Sequence, residues 1–95
     1  MTRDEVLTKL RALKPWLESQ GIGRVRLFGS HARNEASGDS DVDLIVELIK
    51  PLGLDFFRVE RELGQRLGAR VEMTTEDALT NRIFRRTILA DAVET

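Results

Sequence analysis

Ninety-five residues, 41% apolar and 33% charged, with a net charge of −1 and no cysteine, describe one small globular domain. The balanced charge excludes a global field that draws in DNA, RNA or an anionic membrane, and the lack of cysteine excludes disulfides and thiolate metal sites and suits a reducing cytoplasm. No apolar run approaches the roughly 20 residues of a membrane span, and the acidic, polar N-terminus does not read as a signal peptide.

Thr2 and Glu5 stand at capping-box spacing ahead of an apolar series, so a first helix is expected from there. Val6, Leu10, Leu13 and Leu17 recur at helical steps, with Leu7 and Trp16 beside them. Pro15 lies inside this pattern and either kinks the helix or splits it. Gly21 and Gly23 end the segment, and "RVRLFG" follows as a strand in which Val25 and Leu27 alternate with arginines. A polar loop then leads into "DVDLIVEL", a near-continuous apolar strand of the kind buried on both faces.

Pro51 and Gly53 break that strand. "LDFFRVERELGQRLG" reads as a second helix, with Leu54, Phe57, Val59, Leu63 and Leu67 on one side and Arg58, Glu62 and Arg66 on the other. "ARVEMTT" is a third short strand whose apolar pattern Glu72 interrupts. From Glu76 onward a last helix is expected, capped by Thr74 or Thr75, with Leu79, Ile83, Phe84 and Ile88 as its apolar stripe. The order helix, strand, strand, helix, strand, helix predicts an α/β layer structure, one small sheet with helices packed against it.

The chemistry concentrates in "LFGSHARNEASGDSDVDLIVEL", Leu27–Leu48. Side chains two apart on a strand share a face, so Asp41 and Asp43 stand side by side. Like charges that close raise each other's pKa and resist burial unless a cation sits between them. Magnesium suits such a pair, because it prefers one or two carboxylates together with water and substrate phosphates. Gly29 lets the backbone approach a ligand closely, and Ser30 adds a hydroxyl donor. If a short helix starts at Ser30 or His31, its free N–H groups favour an anion there.

Other readings compete for these residues. Asp39, Asp41 and Asp43 fill the first, third and fifth places of an EF-hand loop, but Leu44 and Lys50 stand where that loop needs glycine and glutamate. The aspartates could be simple turn and strand-edge residues, although the mouth of a buried strand is a costly place for a decorative carboxylate. Gly-Ser alone is only a turn signal, and no G-x-x-x-x-G-K-[ST] phosphate loop occurs. The combination of strand, Gly-Ser, ten-residue spacer, Asp-x-Asp and apolar strand carries the specificity.

That combination resembles the signature of the polymerase-β-type nucleotidyltransferases, and the short chain looks like their minimal version (MNT), the antitoxin partner of HEPN-domain toxins. The resemblance covers most of the chain and implies a small mixed sheet packed with helices in the polymerase-β-like fold, over residues 1–95 as a single domain. It implies that Gly29, Ser30 and Arg33 bind the nucleotide, Arg33 being part of an Ala-Arg pair with Ala32. It implies that Asp41 and Asp43 ligate two magnesium ions, and that Glu72, where the family usually has a third aspartate, helps bind the second ion and activates the attacking hydroxyl. The reaction would be a two-metal in-line displacement at the α-phosphorus of ATP, with pyrophosphate leaving. The acceptor would be a tyrosine of a HEPN RNase toxin, bound as a hetero-oligomer and silenced by the AMP it receives, in the cytoplasm.

Two departures from the pattern matter. Asn34 stands where glycine is common, and asparagine tolerates the left-handed backbone a turn there needs. Glu72 carries one methylene more than aspartate, a displacement on the order of 1.5 Å. That difference keeps a second class of function open: an interaction module that neutralises its partner by binding alone. Transfer to a small molecule or an RNA end is a further possibility but calls for a second domain or a dimer cleft. His31, the single histidine, reads more simply as a solvated loop residue than as a phosphate contact. Arg82, Arg85 and Arg86 read as a solvated helix face, and Trp16, Phe56 and Phe57 as core or interface residues.

Overall fold

The computed structural model describes residues 1–36 and 41–95. Asp39, the first place of the EF-hand reading, lies outside the described residues. Helix α1 spans Arg3–Ser19, strand β1 Ile22–Phe28 and helix α2 Gly29–Ala32. Strand β2 spans Val42–Leu48, helix α3 Asp55–Leu67, strand β3 Val71–Thr74, helix α4 Arg82–Asp91 and strand β4 Val93–Glu94. A 3-10 turn over Glu76–Ala78 leads from β3 toward α4.

The strands form one mixed sheet in the order β3-β2-β1-β4. β1 runs antiparallel to β2 and β4, and β2 runs parallel to β3. Val25 and Leu27 of β1, Val42, Leu44 and Val46 of β2, and Val71 and Met73 of β3 point to one face. Val6, Leu7, Leu10 and Leu17 of α1 and Val59, Leu63 and Leu67 of α3 cover that face and complete the core. Leu44, Ile45 and Val46 are all buried, as expected of a central strand, because the 3-10 turn and α4 come over the other face.

The capping box of α1 forms as its spacing predicts: the Glu5 N–H donates to the Thr2 hydroxyl and the Thr2 N–H to the Glu5 carboxylate. Pro15 neither splits nor ends the helix. It lies on the solvent side, where the carbonyl its ring deprives of a donor is open to water. The Trp16 ring packs on the core edge, with the Arg66 guanidinium stacked 4.3 Å from its centroid.

Several expectations are corrected. Leu54 and Phe57 do not belong to the buried stripe of α3; they are exposed, and Phe56 packs inward in their place. The last helix does not begin at Glu76, and neither Thr74 nor Thr75 caps it. Its start is Asn81, whose side-chain oxygen accepts the Phe84 N–H at 3.0 Å. Ile83 and Phe84 are 80% and 58% exposed, which leaves Ile88 as the buried residue of α4. β1 begins earlier than expected and includes Gly23, and the edge strand β4 has no counterpart in the sequence pattern.

Glu76 explains why the helix is delayed. Its carboxylate turns back to the sheet, where it is paired with Arg26 of β1, and it also accepts from Arg85 of α4 at 3.2 Å. Arg26 is only 11% exposed, so the pair ties the 3-10 turn and α4 to the sheet through a poorly solvated charge. The Arg26 hydrogen bond, with the Arg85 charge behind it, holds the Glu76 carboxyl below its usual pKa of 4.5. A depressed carboxyl stabilises the fold above its unfolded pKa, and that contribution is lost as pH falls through the folded value. Glu76→Gln is therefore expected to lower stability at neutral pH by about 1–2 kcal/mol. It should also flatten the acid limb of a plot of melting temperature against pH, measured by circular dichroism.

Candidate active site

The face of the sheet opposite the α1–α3 core carries the acidic residues. β2 presents Asp43, Ile45 and Glu47 there by strand alternation, and Asp41 stands one residue before the strand, two positions from Asp43. The parallel pairing of β2 and β3 sets Asp43 directly beside Glu72, and the antiparallel pairing with β1 sets it opposite Phe28, the last residue before the Gly29–Ser30 turn. The Asp-x-Asp pair, the glutamate that breaks the third strand's pattern and the Gly-Ser turn therefore converge on one end of one sheet face.

Electrostatics records that convergence. Burial pushes the Asp43 carboxyl above its usual pKa, and the neighbouring charges of Glu72 and Asp41 push it further, with His31 opposing. A carboxylate in that position is stabilised by a positive charge. Among the described residues no three acidic or imidazole side chains are drawn into a closed coordination shell. Asp41 instead leans toward Arg70, its oxygen 3.9 Å from Nε. Arg70 is exposed and this long surface contact holds the carboxylate weakly, so its oxygens stay available. Oxygen-only donors, clustered like charge and a half-buried central carboxylate suit a hard divalent cation such as magnesium.

The turn after β1 is built around two backbone requirements. Gly29 has φ +75, and a Cβ placed on it would lie 2.5 Å from Asp43 Oδ2. Only glycine meets both the left-handed backbone and the close approach of the carboxylate. α2 begins at this glycine, beside the Asp43 carboxylate, with no side-chain cap hydrogen bond for its first N–H groups. Ser30 is half-buried at the second position of α2. Asn34 closes the turn with φ 58, the left-handed conformation expected of it.

Arg33 is exposed at the end of α2, 3.2 Å from Glu35 and 3.7 Å from Asp91 of α4. Its guanidinium is engaged by these two carboxylates. Both ion pairs are exposed and contribute little, so the side chain can leave them at small cost.

His31 corrects the sequence reading outright. It is 3% exposed, and Nδ1 lies 3.1 Å from the carbonyl oxygen of Asp41. The carbonyl accepts, so Nδ1 carries the hydrogen. Local pattern holds no signal for this burial. It arises because α2 is enclosed by α1, α4, β1 and β2, elements that meet there only in the folded chain. The pairing of Arg26 with Glu76 leaves no trace in local pattern for the same reason.

Fold and family together define an enzyme that transfers nucleotidyl groups. The family model of the nucleotidyltransferase domain matches residues 4–92, and the chain belongs to that family. Protein adenylyltransferase MntA of Thermococcus cleftensis is 35% identical over 95 residues, covering 98% of this chain and 95% of that protein. A Methanocaldococcus jannaschii protein, provisionally named a protein adenylyltransferase, is 34% identical over 94 residues, covering 97% of this chain and 96% of its own. A solved structure provisionally described as a minimal nucleotidyltransferase superposes with a TM-score of 0.78 at 35% identity, covering 98% of this chain and 95% of that one. A toxin–antitoxin crystal structure with AMP-PNP superposes with a TM-score of 0.66 at 16% identity, covering 99% of this chain and 72% of that chain, a likeness of fold. The mixed sheet with its packed helices is the minimal nucleotidyltransferase fold.

Proposed function

We propose that residues 1–95 act as one minimal nucleotidyltransferase domain that moves AMP from ATP, with magnesium, onto a tyrosine of a HEPN RNase toxin and so neutralises it in the cytoplasm. The observation that carries this reading is the meeting of Asp41, Asp43 and Glu72 beside the Gly29–Ser30 turn on one sheet face. Similarity to proteins named adenylyltransferases supports the AMP donor, and the toxin–antitoxin fold neighbour with AMP-PNP supports a toxin as acceptor. No helix among the described residues is long and apolar enough to cross a membrane.

In this reading the backbone N–H groups at Gly29 and Ser30, the Ser30 hydroxyl and Arg33 hold the triphosphate. Asp41, Asp43 and Glu72 would hold the two magnesium ions, which when bound would supply charge neutralisation for the transfer. The acceptor oxygen forms the new bond to the α-phosphorus, the bond from that phosphorus to the bridging oxygen breaks, and pyrophosphate leaves with the electron pair. Glu72 receives the acceptor's hydroxyl proton. Placement and fixed charge account for most of the rate in such a transfer, which is why the register of β2 against β3 matters.

The test is intact-mass spectrometry of the product of the adjacent reading frame after incubation with this protein, ATP and magnesium. The expected partner is a HEPN-domain protein that gains one or more AMP units, none of which appear with an Asp41→Asn/Asp43→Asn double variant. The chain itself contains no tyrosine, so tyrosyl-AMP found in the mixture belongs to the partner. A partner inhibited equally by wild type and double variant, without a mass shift, would show neutralisation by binding alone.

A further inference from the structure

His31 is the only buried polar or charged side chain among the described residues, and the nucleotide chemistry described above does not use it. Its place is specific. It follows Ser30 directly, and its Nδ1–H donates at 3.1 Å to the carbonyl of Asp41, ten residues along the chain and one residue before β2. The contact therefore joins the end of the phosphate-facing turn to the residue that carries the first carboxylate.

We infer that His31 is a positioning residue, which sets the spacing between the Gly29–Ser30 turn and the Asp41 and Asp43 carboxylates through its Nδ1–H bond to the Asp41 carbonyl. Three features of the side chain suit it to this. The imidazole is rigid beyond two torsions, so a ring fixed at its base fixes the far end of the bond. Burial removes water as a competitor for the carbonyl, which makes the protein–protein hydrogen bond the one that counts. The bond also spans two elements whose mutual distance sets where a phosphate and a cation meet. The neighbouring Ala32 is buried as well, so α2 is held by packing while the histidine sets its register against the start of β2.

This inference rests on the nucleotidyltransfer site proposed above, and its test separates the two. Magnesium-dependent binding of a non-hydrolysable ATP analogue is measured by isothermal titration calorimetry for wild type and for His31→Phe, His31→Asn and His31→Gln, with melting temperatures alongside. Phenylalanine keeps the ring volume and removes the donor. Asparagine places an amide N–H close to where Nδ1 stands, and glutamine places it one methylene further on. Loss of an outer partner that orients metal ligands weakens affinity about 10–100-fold. The expected result is a loss of that size for His31→Phe and His31→Gln and a rescue to within about threefold for His31→Asn.

A folded His31→Phe that binds magnesium and analogue like wild type would overturn the inference. If His31→Phe does not fold, equal affinities for the asparagine and glutamine variants would overturn it. Failure of all three variants to fold would do so too, because the side chain would then serve stability and not placement. Absence of binding by the wild type would overturn the site reading itself, and this inference with it.

Discussion

Asp43→Asn is expected to lower AMP transfer and magnesium-dependent nucleotide binding by at least about a hundredfold while raising the melting temperature of the metal-free protein. The two effects have one cause. Asp43 is half-buried beside Glu72 and Asp41, and its carboxyl is pushed above its usual pKa by burial first and by those neighbours second. A carboxyl whose folded pKa is raised binds its proton more readily in the native state than in the unfolded chain. Its unfavourable share of the folding free energy therefore grows as pH rises through the carboxylate range and is fully present at neutral pH. Asparagine has nearly the same shape and no charge, so it removes that share. Differential scanning fluorimetry at neutral pH, with and without magnesium, reads both halves. Magnesium should raise the melting temperature of the wild type and leave the variant where it was. An Asp43→Asn protein that melts below the metal-free wild type would show that the carboxylate serves packing or hydrogen bonding.

Gly29→Ala is expected to remove most of the activity at a much smaller cost in stability. The left-handed φ of +75 costs a non-glycine residue about 1–2 kcal/mol. For a domain of this size that corresponds to a fall of roughly 4–8 °C in melting temperature per kcal/mol. The added Cβ would also sit 2.5 Å from Asp43 Oδ2, so the carboxylate must rotate away or β1 and β2 must separate. Either response displaces the carboxylate proposed to hold the metal, and displacements of about 1 Å cost transfer reactions on the order of a hundredfold. Gly68→Ala is the matched control. Gly68 has φ +81 at the end of α3, with nothing within 4 Å of a Cβ, so it carries the backbone strain without the carboxylate contact. Both alanines should lower the melting temperature comparably, and only Gly29→Ala should abolish analogue binding. Equal activity in the two variants would mean that the Asp43 rotamer is free to move without consequence.

The exposed apolar residues bear on the binding class of function raised by the sequence. α1, whose apolar face could have been left open, packs on the core: Val6, Leu7, Leu10 and Leu17 are buried, and Leu13 and Trp16 are partly buried against them. Among the described residues, the large apolar side chains that remain in solvent are Leu48 and Ile49 at the end of β2, Leu54 and Phe57 around the start of α3, and Ile83 and Phe84 on α4. Their exposure follows from geometry. α4 meets the sheet through Ile88 and through the Arg85–Glu76–Arg26 pairing, with Ile83 and Phe84 left in solvent.

Much of the molecule follows from local chemistry that the sequence states openly. The capping box at Thr2 and Glu5, the 3.6-residue spacing of α1 and the apolar run of β2 each specify an element from neighbours a few positions away. The side-by-side placement of Asp41 and Asp43 follows from strand alternation alone, and Asn34 adopts the left-handed turn its side chain allows. What the sequence left open depends on contacts between residues far apart in the chain. Glu72 becomes a neighbour of Asp43 only through the parallel pairing of β2 and β3, a register that no local pattern contains. Glu76 interrupts the last helix because Arg26, fifty residues earlier, draws its carboxylate back to the sheet. His31 is buried because four separate elements close around a four-residue helix, where its own neighbours in sequence describe an ordinary polar turn. Local propensity and alternation act within a turn or a pleat, whereas burial and charge pairing act through space, and the spatial terms decide wherever the two disagree.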